Sequence, residues 1–251
     1  MAVFSGPSVT AISNVAVSMD MASVKTYSGS GTVITDPLSK ATNELSNRDS
    51  YYKIYDLEVG DYVIPYSSPT ALPTFSANNS GTVTFDGTNN SLRFATPTLG
   101  STISVEIWAR LGAGYANNTM FAFDTYTVST WNGGLGFSTT TSDLYGANSV
   151  TVAAVGVADI WRQYVFEMRT DVSYSNNKIY IDGSLITPVT QVLGTETTSN
   201  RRFSNYGSIS SWPNVDGTEM PMTFGSIKIY NRALTQTEII QNFNATRSRF
   251  A

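Results

Sequence analysis

The chain closes on "KIYNRALTQTEIIQNFNATRSRF" (Lys228–Phe250), where a β-strand pattern runs directly into a short helix. Thr235 precedes the helical segment and Glu238 follows three residues later, which is the pattern of a capping box. Leu234 and Ile239 occupy the two positions of a hydrophobic staple. Because a helix this short is only marginally stable alone, we expect it to dock on the rest of the chain. The expected apolar stripe consists of Ile239, Ile240 and Phe243.

Upstream of this segment almost every pattern is typical of β-structure. Strands are predicted from period-2 alternation and β-rich composition at 9–20, 51–67, 101–111, 119–124, 149–157, 161–170 and 222–231. Hairpins are predicted at 81–95 around Asp86-Gly87, at Asn132-Gly133, and at 177–186 around Asp182-Gly183. Residues 37–50 and 187–220 have the polar composition of loops.

About a dozen short strands with turns between them predict an all-β, jelly-roll sandwich of two antiparallel sheets, closed by a short C-terminal helix. The chain has 251 residues, a usual size for one such domain. We therefore predict a single domain over 1–251. The alternative is that part of residues 1–50 forms an extended docking arm.

Composition excludes several function classes. There is no histidine and no cysteine, which removes the commonest general base and every imidazole or thiolate metal site. The net charge of −4 gives no basic footprint for nucleic acid or an anionic membrane. No signal peptide is predicted from "MAVFSGPSV", and no apolar run approaches about 18 residues. These features predict a chain made in a cytoplasm, with no nucleic-acid or membrane partner.

Four stretches, in order, resemble laminin G-like domains of the concanavalin A-like lectin/glucanase superfamily. They are the closing "IYNRALTQTEIIQNF", the opening "VAVSMDMASVKTYSGSGTVITD" (15–36), "TFDGTNNSLRF" (84–94) followed by 101–108, and "WRQYVFEM" with "NKIYIDGSLI" (161–186). The ending "QNFNATRSRF" is similar to the form found in virion proteins of bacteriophages, especially cyanophages. The sequence departs from the family pattern at Ile34, where a Trp is usual, and at "DPLSKATNEL" (36–45). The resemblance implies a fold and a virion setting, without implying sugar binding.

Glycoside hydrolysis is the enzymatic activity to weigh, because glucanases share the resembled fold. A retaining mechanism needs two carboxyl groups about 5 Å apart. Glu106 in "SVEIW" and Glu167 in "VFEMR" each stand alone on a strand. We predict that both are outward-facing polar positions and that the protein is not an enzyme.

Calcium is the metal to weigh, since it prefers carboxylate and carbonyl oxygens in loops. The weak candidates are Asp216 and Glu219 in "DGTE", with Asp124; Asp143 and Asp182 are further loop or strand-end carboxylates. No spacing matches a calcium loop, and Asp-Gly pairs form turns first. We therefore predict no cofactor, with a rim calcium ion as the alternative.

Aromatic residues near loops are candidates for stacking on a sugar. Trp131 beside "NGG" and Trp212 in "SSWPN" are the best placed, followed by Tyr206 and Tyr126. The alternative is that these side chains cover the open ends of the sandwich or pack against neighbouring subunits. A tyrosine cluster at 51, 52, 55, 62 and 66 is either an interface with other virion proteins or an amphipathic edge strand.

These observations predict a non-enzymatic virion structural protein displayed on the exterior of a phage particle, as a capsid decoration, a fibre or a tail-associated appendage. Its partners would be other capsid or tail proteins and further copies of itself, with a trimer as one possibility on a symmetric platform. The alternative function is a lectin-like module that recognises host surface glycans. A polysaccharide hydrolase is the third hypothesis.

Overall fold

A computed structural model describes residues 14–22, 33–35, 42–47, 53–54, 62–63, 73–78, 81–88, 90–140, 142–196, 201–213, 215 and 217–251. Nineteen strands make up about half of this part of the chain. In chain order they are β1 Val15–Asp20, β2 Val33–Thr35, β3 Thr42–Asn47, β4 Lys53–Ile54, β5 Tyr62–Val63, β6 Thr74–Ser76, β7 Thr82–Asp86, β8 Asn90–Ala95, β9 Thr102–Leu111, β10 Thr119–Ala122, β11 Thr127–Trp131, β12 Gly134–Ser138, β13 Leu144–Ala147, β14 Trp161–Arg169, β15 Lys178–Ile181, β16 Ser184–Leu185, β17 Thr190–Leu193, β18 Tyr206–Ile209 and β19 Pro221–Tyr230. Two α-helices are described, α1 Ser149–Val155 and α2 Gln236–Thr246.

The strands form two antiparallel sheets. Sheet I has eight strands in the order β16-β15-β14-β9-β19-β7-β6, with β1 also pairing with β19. Sheet II has nine strands in the order β17-β13-β12-β11-β10-β18-β8-β3-β2. The short β4 and β5 pair with each other. The predicted all-β sandwich of two antiparallel sheets with a short C-terminal helix is confirmed.

Alternation along each strand builds the core, since successive side chains of a strand point to opposite faces. On β9 of sheet I, Ile103, Val105 and Ile107 face inward and are fully buried. On sheet II, Val128 and Phe137 occupy the corresponding inward positions. The intervening residues therefore define two outer faces, one on each sheet.

The predicted hairpin at 81–95 is wrong. β7 pairs with β6 and β19 in sheet I, whereas β8 pairs with β18 and β3 in sheet II. The turn at Asp86-Gly87 therefore carries the chain from one layer to the other. Val83 and Phe94 are both fully buried in one core cluster. Each alternating pattern was therefore correct, but inward alternation does not say which sheet a strand joins.

Three further local predictions are also wrong. The segment predicted as a strand at 149–157 forms α1, because Asn148 caps its first turn by accepting from the Thr151 N–H and Gly156 ends it in a left-handed conformation. The expected loop at 37–50 contains β3. The expected loop at 187–220 contains β17 and β18. In each of these loops, sheet pairing with a distant strand overrides polar composition.

Helix α2 docks on the outer face of sheet I. The capping box between Thr235 and Glu238 is present, as predicted. Leu234 and Ile239 are both buried in one cluster with residues of the sheet. Ile240, predicted to be part of the docked stripe, is instead 42% exposed, and Asn242 is fully buried in its place. The docked face thus repeats at 239, 242, 243 and 246, with a polar side chain at its centre.

Aromatic rings seal the same face. Trp108 on β9 lies between Phe243 of α2 and Phe250 of the terminal turn, with ring centroids 5.9 and 4.5 Å away. Its indole N–H donates to the Thr246 hydroxyl at 2.9 Å. Trp161 on β14 also contacts Phe250. The end of the chain is therefore anchored to the middle of sheet I.

Glu106 and Glu167 face outward from sheet I, as predicted, but both are almost completely buried. Glu106 accepts from the Asn242 amide at 2.7 Å and from the Tyr230 hydroxyl at 3.3 Å. Burial, together with the nearby Glu106 carboxylate, raises the pKa of Tyr230. Glu167 pairs with Arg169 and Lys178. These carboxylates belong to the packing beneath the helix and at its edge.

Within the described part of the chain, residues 15–20 pair with β19 of the same sandwich. No helix there is long and apolar enough to cross a membrane.

Candidate functional site

A groove lies on the outer face of sheet II. Its cavity volume is about 70 Å³. Hydroxyl and amide side chains dominate its lining, with two tryptophans and two leucines. The lining residues are Asn117, Asn118, Thr119, Ser129, Thr130, Trp131, Ser138, Thr140, Asp143, Leu144, Leu193, Trp212 and Thr218.

The floor of the groove is formed by Ser129 on β11 and Ser138 on β12, two small residues that point outward from sheet II. Ser129 pairs with Gly136, and Gly136 pairs with Gly146. A side chain at Gly136 would place its Cβ 2.2 Å from the Tyr145 carbonyl oxygen, and one at Gly146 would come within 2.1 Å of the Leu135 carbonyl oxygen. Only glycine fits this close approach of β12 and β13.

Trp131 stands on the rim and is 38% exposed. It ends β11 immediately before the Asn132-Gly133 turn, where both residues have positive φ, so the predicted hairpin between β11 and β12 is confirmed. The Asn132 N–H donates to Asn117 Oδ1 at 2.8 Å, and the Gly133 N–H donates to the Ala116 carbonyl. The indole ring is therefore presented on a turn that is fixed from beneath.

Trp212 also lines the groove and is buried, with 7% exposure. Its indole N–H donates to the Asp124 carbonyl at 2.9 Å, and its backbone N–H donates to the Thr218 hydroxyl at 3.0 Å. The Thr218 carbonyl accepts from the Thr119 N–H. The loop that carries Trp212 is thus tied to β10, and the buried ring offers no free stacking surface.

Asp143 lies at one end of the groove with 3% exposure. Its carboxylate accepts from the N–H groups of Thr139 and Thr140 at 3.1 and 2.8 Å, and from the Ser138 and Thr140 hydroxyls at 3.0 Å. The Thr139 and Tyr174 hydroxyls donate to its second oxygen. Five donors, with the Ser138 hydroxyl shared between Asp143 and the Thr140 carbonyl, replace water around the carboxylate and allow it to be buried without a cation.

Tyr206 and Asp124 lie next to Trp212 but outside the groove lining. The Tyr206 hydroxyl donates to Asp124 Oδ1 at 3.0 Å, and Arg202 donates to Oδ2 at 2.7 Å. Tyr126 is fully buried, accepts a hydrogen bond from the Asn177 amide, and has a pKa raised by burial. Of the four aromatic candidates, the structure therefore brings Trp131 and Trp212 together and keeps Tyr126 in the core.

The calcium candidates do not converge. Asp216 lies outside the described residues, Glu219 is 1% exposed, and Asp124 already contacts Arg202 and Tyr206. Asp182 pairs with Arg162 at 2.6 Å. Across the described ranges no three acidic side chains come together in a way that could hold a metal ion. Of the tyrosine cluster, only the backbone of Tyr62 is described, in β5.

No protein-family model matches the chain, and no curated protein sequence matches it. Solved structures share its fold. The receptor-binding domain of a botulinum neurotoxin C/D mosaic serotype superposes with a TM-score of 0.58 at 10% identity, over 92% of this chain and 51% of that one. The botulinum neurotoxin serotype D ligand-binding domain in complex with N-acetylneuraminic acid gives 0.55 at 12%, over 92% and 50%.

A third structure, the binding domain of botulinum neurotoxin DC in complex with rat synaptotagmin II, gives a TM-score of 0.52 at 12% identity, over 93% of this chain and 52% of that one. The chain spans about half the length of these domains. At this level of identity the likeness places the chain among β-sandwich domains of their kind and shows the fold alone.

Sequence reasoning missed the Asp143 network and the floor of the groove. A usable signal existed for the floor, because Thr127, Ser129 and Trp131 alternate with the inward Val128, and Gly134, Gly136 and Ser138 alternate with Leu135 and Phe137. Adjacent strands with small polar outward positions indicate an open face. That Ser129 and Ser138 line the same groove as Trp131 and Trp212 follows only from the tertiary structure.

Proposed function

We propose that this chain is a non-catalytic glycan-binding module that recognises a host surface glycan in the groove between Trp131 and Trp212, and that it is carried on the exterior of a phage particle. The observation that carries the proposal is the pairing of a half-exposed indole ring with a groove of hydroxyl and amide groups. Sugars present apolar ring faces and hydroxyl edges, so a site of this composition matches both.

Rigidity supports the same function. Thr130, beneath Trp131, donates its hydroxyl proton to the Tyr115 carbonyl and accepts from the Asn118 N–H at 3.0 Å. Together with the bonds to Asn132 and Gly133, this fixes the rim before a ligand arrives. A preformed rim lowers the entropic cost of binding.

A binding role without catalysis is favoured by the carboxylates. The groove lining contains one acid, Asp143, and both of its oxygens are occupied by protein donors. Glycosidases need a pair of carboxyl groups across the scissile bond. The botulinum neurotoxin domains that share this fold are receptor- or ligand-binding domains, which supports the same kind of role. The phage setting rests on the sequence resemblance of the closing segment.

The test is a glycan array followed by titration of the best ligand against Trp131→Ala. We expect affinity to fall at least tenfold, because the stacking surface is lost. Ile240→Ala is the matched control, since Ile240 is 42% exposed on the opposite outer face. It should bind like the parent protein, and Trp131→Phe should recover part of the affinity. Absence of binding to every glycan, or equal loss in the control, would overturn the proposal.

A purely structural role on the particle is a second candidate. It is favoured by an apolar rim at the edge of sheet I, where Leu185 on β16 and Ile240 on α2 are each 42% exposed. Gly183, in the turn before β16, lies directly against Ile240. Exposed apolar side chains beside an edge strand suit contact with a neighbouring subunit.

This candidate is tested by the copy number per particle and by the molar mass of the purified chain in solution. A trimer that dissociates in the double variant Leu185→Ser, Ile240→Ser would support a role in packing on a symmetric platform. A monomer, or a chain absent from purified particles, would contradict it.

A further inference from the structure

We infer that the groove selects neutral sugars against anionic ones, an inference that rests on the proposed glycan-binding function. It concerns which class of glycan the site accepts, and it follows from where the hydroxyl protons and charges of the lining residues lie.

Four of the six hydroxyl groups in the lining donate their protons to acceptors inside the protein, and the other two, Thr119 and Ser129, hydrogen-bond to each other at 3.1 Å. Thr130 donates to the Tyr115 carbonyl, and Thr218 donates to the Val215 carbonyl at 3.0 Å. Ser138 donates to the Thr140 carbonyl or to Asp143, and Thr140 donates to Asp143. Since a hydroxyl has one proton and two lone pairs, these side chains offer a ligand only acceptors.

One N–H of the Asn118 amide is used in the same way, because it donates to the Glu219 carbonyl. The neutral donors that remain are the second Asn118 N–H, the Asn117 NH₂ group and the Trp131 indole N–H, which have no hydrogen-bond partner among the described residues. A neutral sugar can donate its many hydroxyl protons to the acceptors of the floor, whereas a carboxylate or sulfate group is an acceptor alone and would find few donors.

The charges of the lining residues also favour a neutral sugar over an anionic one. None of the thirteen lining residues is Lys or Arg, and the one ionisable group among them is the Asp143 carboxylate. Thr141, Asn214 and Asp216, which adjoin the lining segments, add no positive charge. The two arginines of the neighbouring loop are committed elsewhere, Arg202 to Asp124 and Arg201 to Glu196. An anion in the groove would therefore be desolvated without a counter-charge.

The volume of the groove limits the size of the ligand that it can bind. A volume of about 70 Å³ corresponds to roughly five to seven water positions. The site therefore holds a single sugar unit at its rim, stacked on Trp131, and not a length of polysaccharide. The class of ligand is a neutral hexose-type unit at the end or side of a host glycan.

The experiment uses pairs of oligosaccharides that differ only in one group, such as a galactoside and its 6-sulfate, or a glucoside and the matching glucuronide. Each is titrated calorimetrically against the whole protein near physiological salt. We expect each neutral member to bind at least tenfold more tightly than its anionic partner. Binding of the neutral member should disappear in Trp131→Ala.

The variant Ser142→Lys adds a cation at an exposed position next to the lining residue Asp143 and should narrow the preference for the neutral member at least threefold. Asn244→Lys adds the same charge on the opposite face and should leave it unchanged. If anionic members bind equally well or better, and their binding needs Trp131, the inference is wrong while the glycan-binding function stands. If neither member of any pair binds, both are wrong.

Discussion

The two outer faces of this sandwich start from the same strand geometry and end in opposite states. On sheet I the outward side chains are large, and α2 with the terminal turn covers them, with Trp108 enclosed between Phe243 and Phe250. On sheet II the outward side chains of Ser129 and Ser138 are small, and both line the groove. The difference teaches that residue size at outward positions decides whether a sheet is sealed or available to a ligand.

The outer face of sheet I, which α2 covers and which we call the sealed face, also buries polar groups. The outer face of sheet II, with its groove, is called the open face. Glu106 is buried with the Asn242 amide and the Tyr230 hydroxyl as its partners. A buried carboxylate needs such donors, because removing its partners lowers the free energy of unfolding by about 3–5 kcal/mol. The helix therefore completes a site that sheet I alone could not make stable.

The largest effect is expected from Trp108→Ala, which removes the ring at the centre of the sealed face. Deleting a fully packed aromatic side chain costs about 3–5 kcal/mol. Urea unfolding should show a loss of that size. Glycan binding measured on the fraction that remains folded should be unchanged, because the groove lies on the other sheet.

The control is Val150→Ala, at a position that is 76% exposed on α1. It should change the free energy of unfolding by less than about 0.5 kcal/mol. A loss of glycan affinity in folded Trp108→Ala protein would show that the two outer faces are coupled. It would contradict the claim that they are independent.

An intermediate effect is expected from Gly136→Ala on the open face. The added Cβ would lie 2.2 Å from the Tyr145 carbonyl oxygen, so β12 and β13 must separate. We expect a loss of about 1–3 kcal/mol in unfolding free energy, with weaker glycan binding as the floor shifts. Gly100→Ala is the control, because its nearest atom would be the end of the Asn231 side chain at 3.3 Å. Equal stability of the two variants would refute the close-approach argument.

The smallest effect concerns Glu238, which joins the helix cap of the sealed face to Arg232 at 2.6 Å. The Arg232 hydrogen bond lowers the pKa of Glu238 from 4.5 to about 2. A carboxyl group whose pKa is lower in the folded state stabilises the fold above its unfolded pKa. This contribution should be complete above about pH 4.5 and lost as the pH falls to about 2.

Glu238→Gln should reduce stability at pH 7 by on the order of 1 kcal/mol, since the pair is partly exposed and screened. The variant should also lose less stability than the parent between pH 4.5 and 2. Asp159→Asn, at an exposed position, is the control. Parallel pH profiles for the parent and Glu238→Gln would contradict the assignment.

Much of the fold was accessible from residue patterns. The alternation of Ile103, Val105 and Ile107 located a core strand, and Thr235 with Glu238 located the start of α2, because both features depend on neighbours within a few residues. The hairpin predicted at 81–95 was wrong because strand pairing does not depend on neighbouring residues alone. Whether β7 and β8 join one sheet or two depends on strands far away in the chain.

Some residues of the candidate site could likewise be predicted from local sequence, and others could not. The turn at Asn132-Gly133 marked Trp131 as an exposed residue on a hairpin, because Asn and Gly tolerate the positive φ that the turn requires. Tyr126 and Trp212 looked equivalent to it in the sequence, but packing buries both. No local pattern distinguishes an aromatic side chain beside a loop from one beneath it.

By itself the sequence determined an all-β chain with a capped terminal helix, no histidine or thiol chemistry, and a set of aromatic residues near turns. The tertiary structure decided which strands share a sheet, that the helix covers Glu106 and Trp108, and that Trp131 and Trp212 line one groove with serine, threonine and asparagine side chains. The physical reason is range. Backbone conformation and caps are set by adjacent residues, whereas burial and grooves are set by contacts between segments distant in sequence.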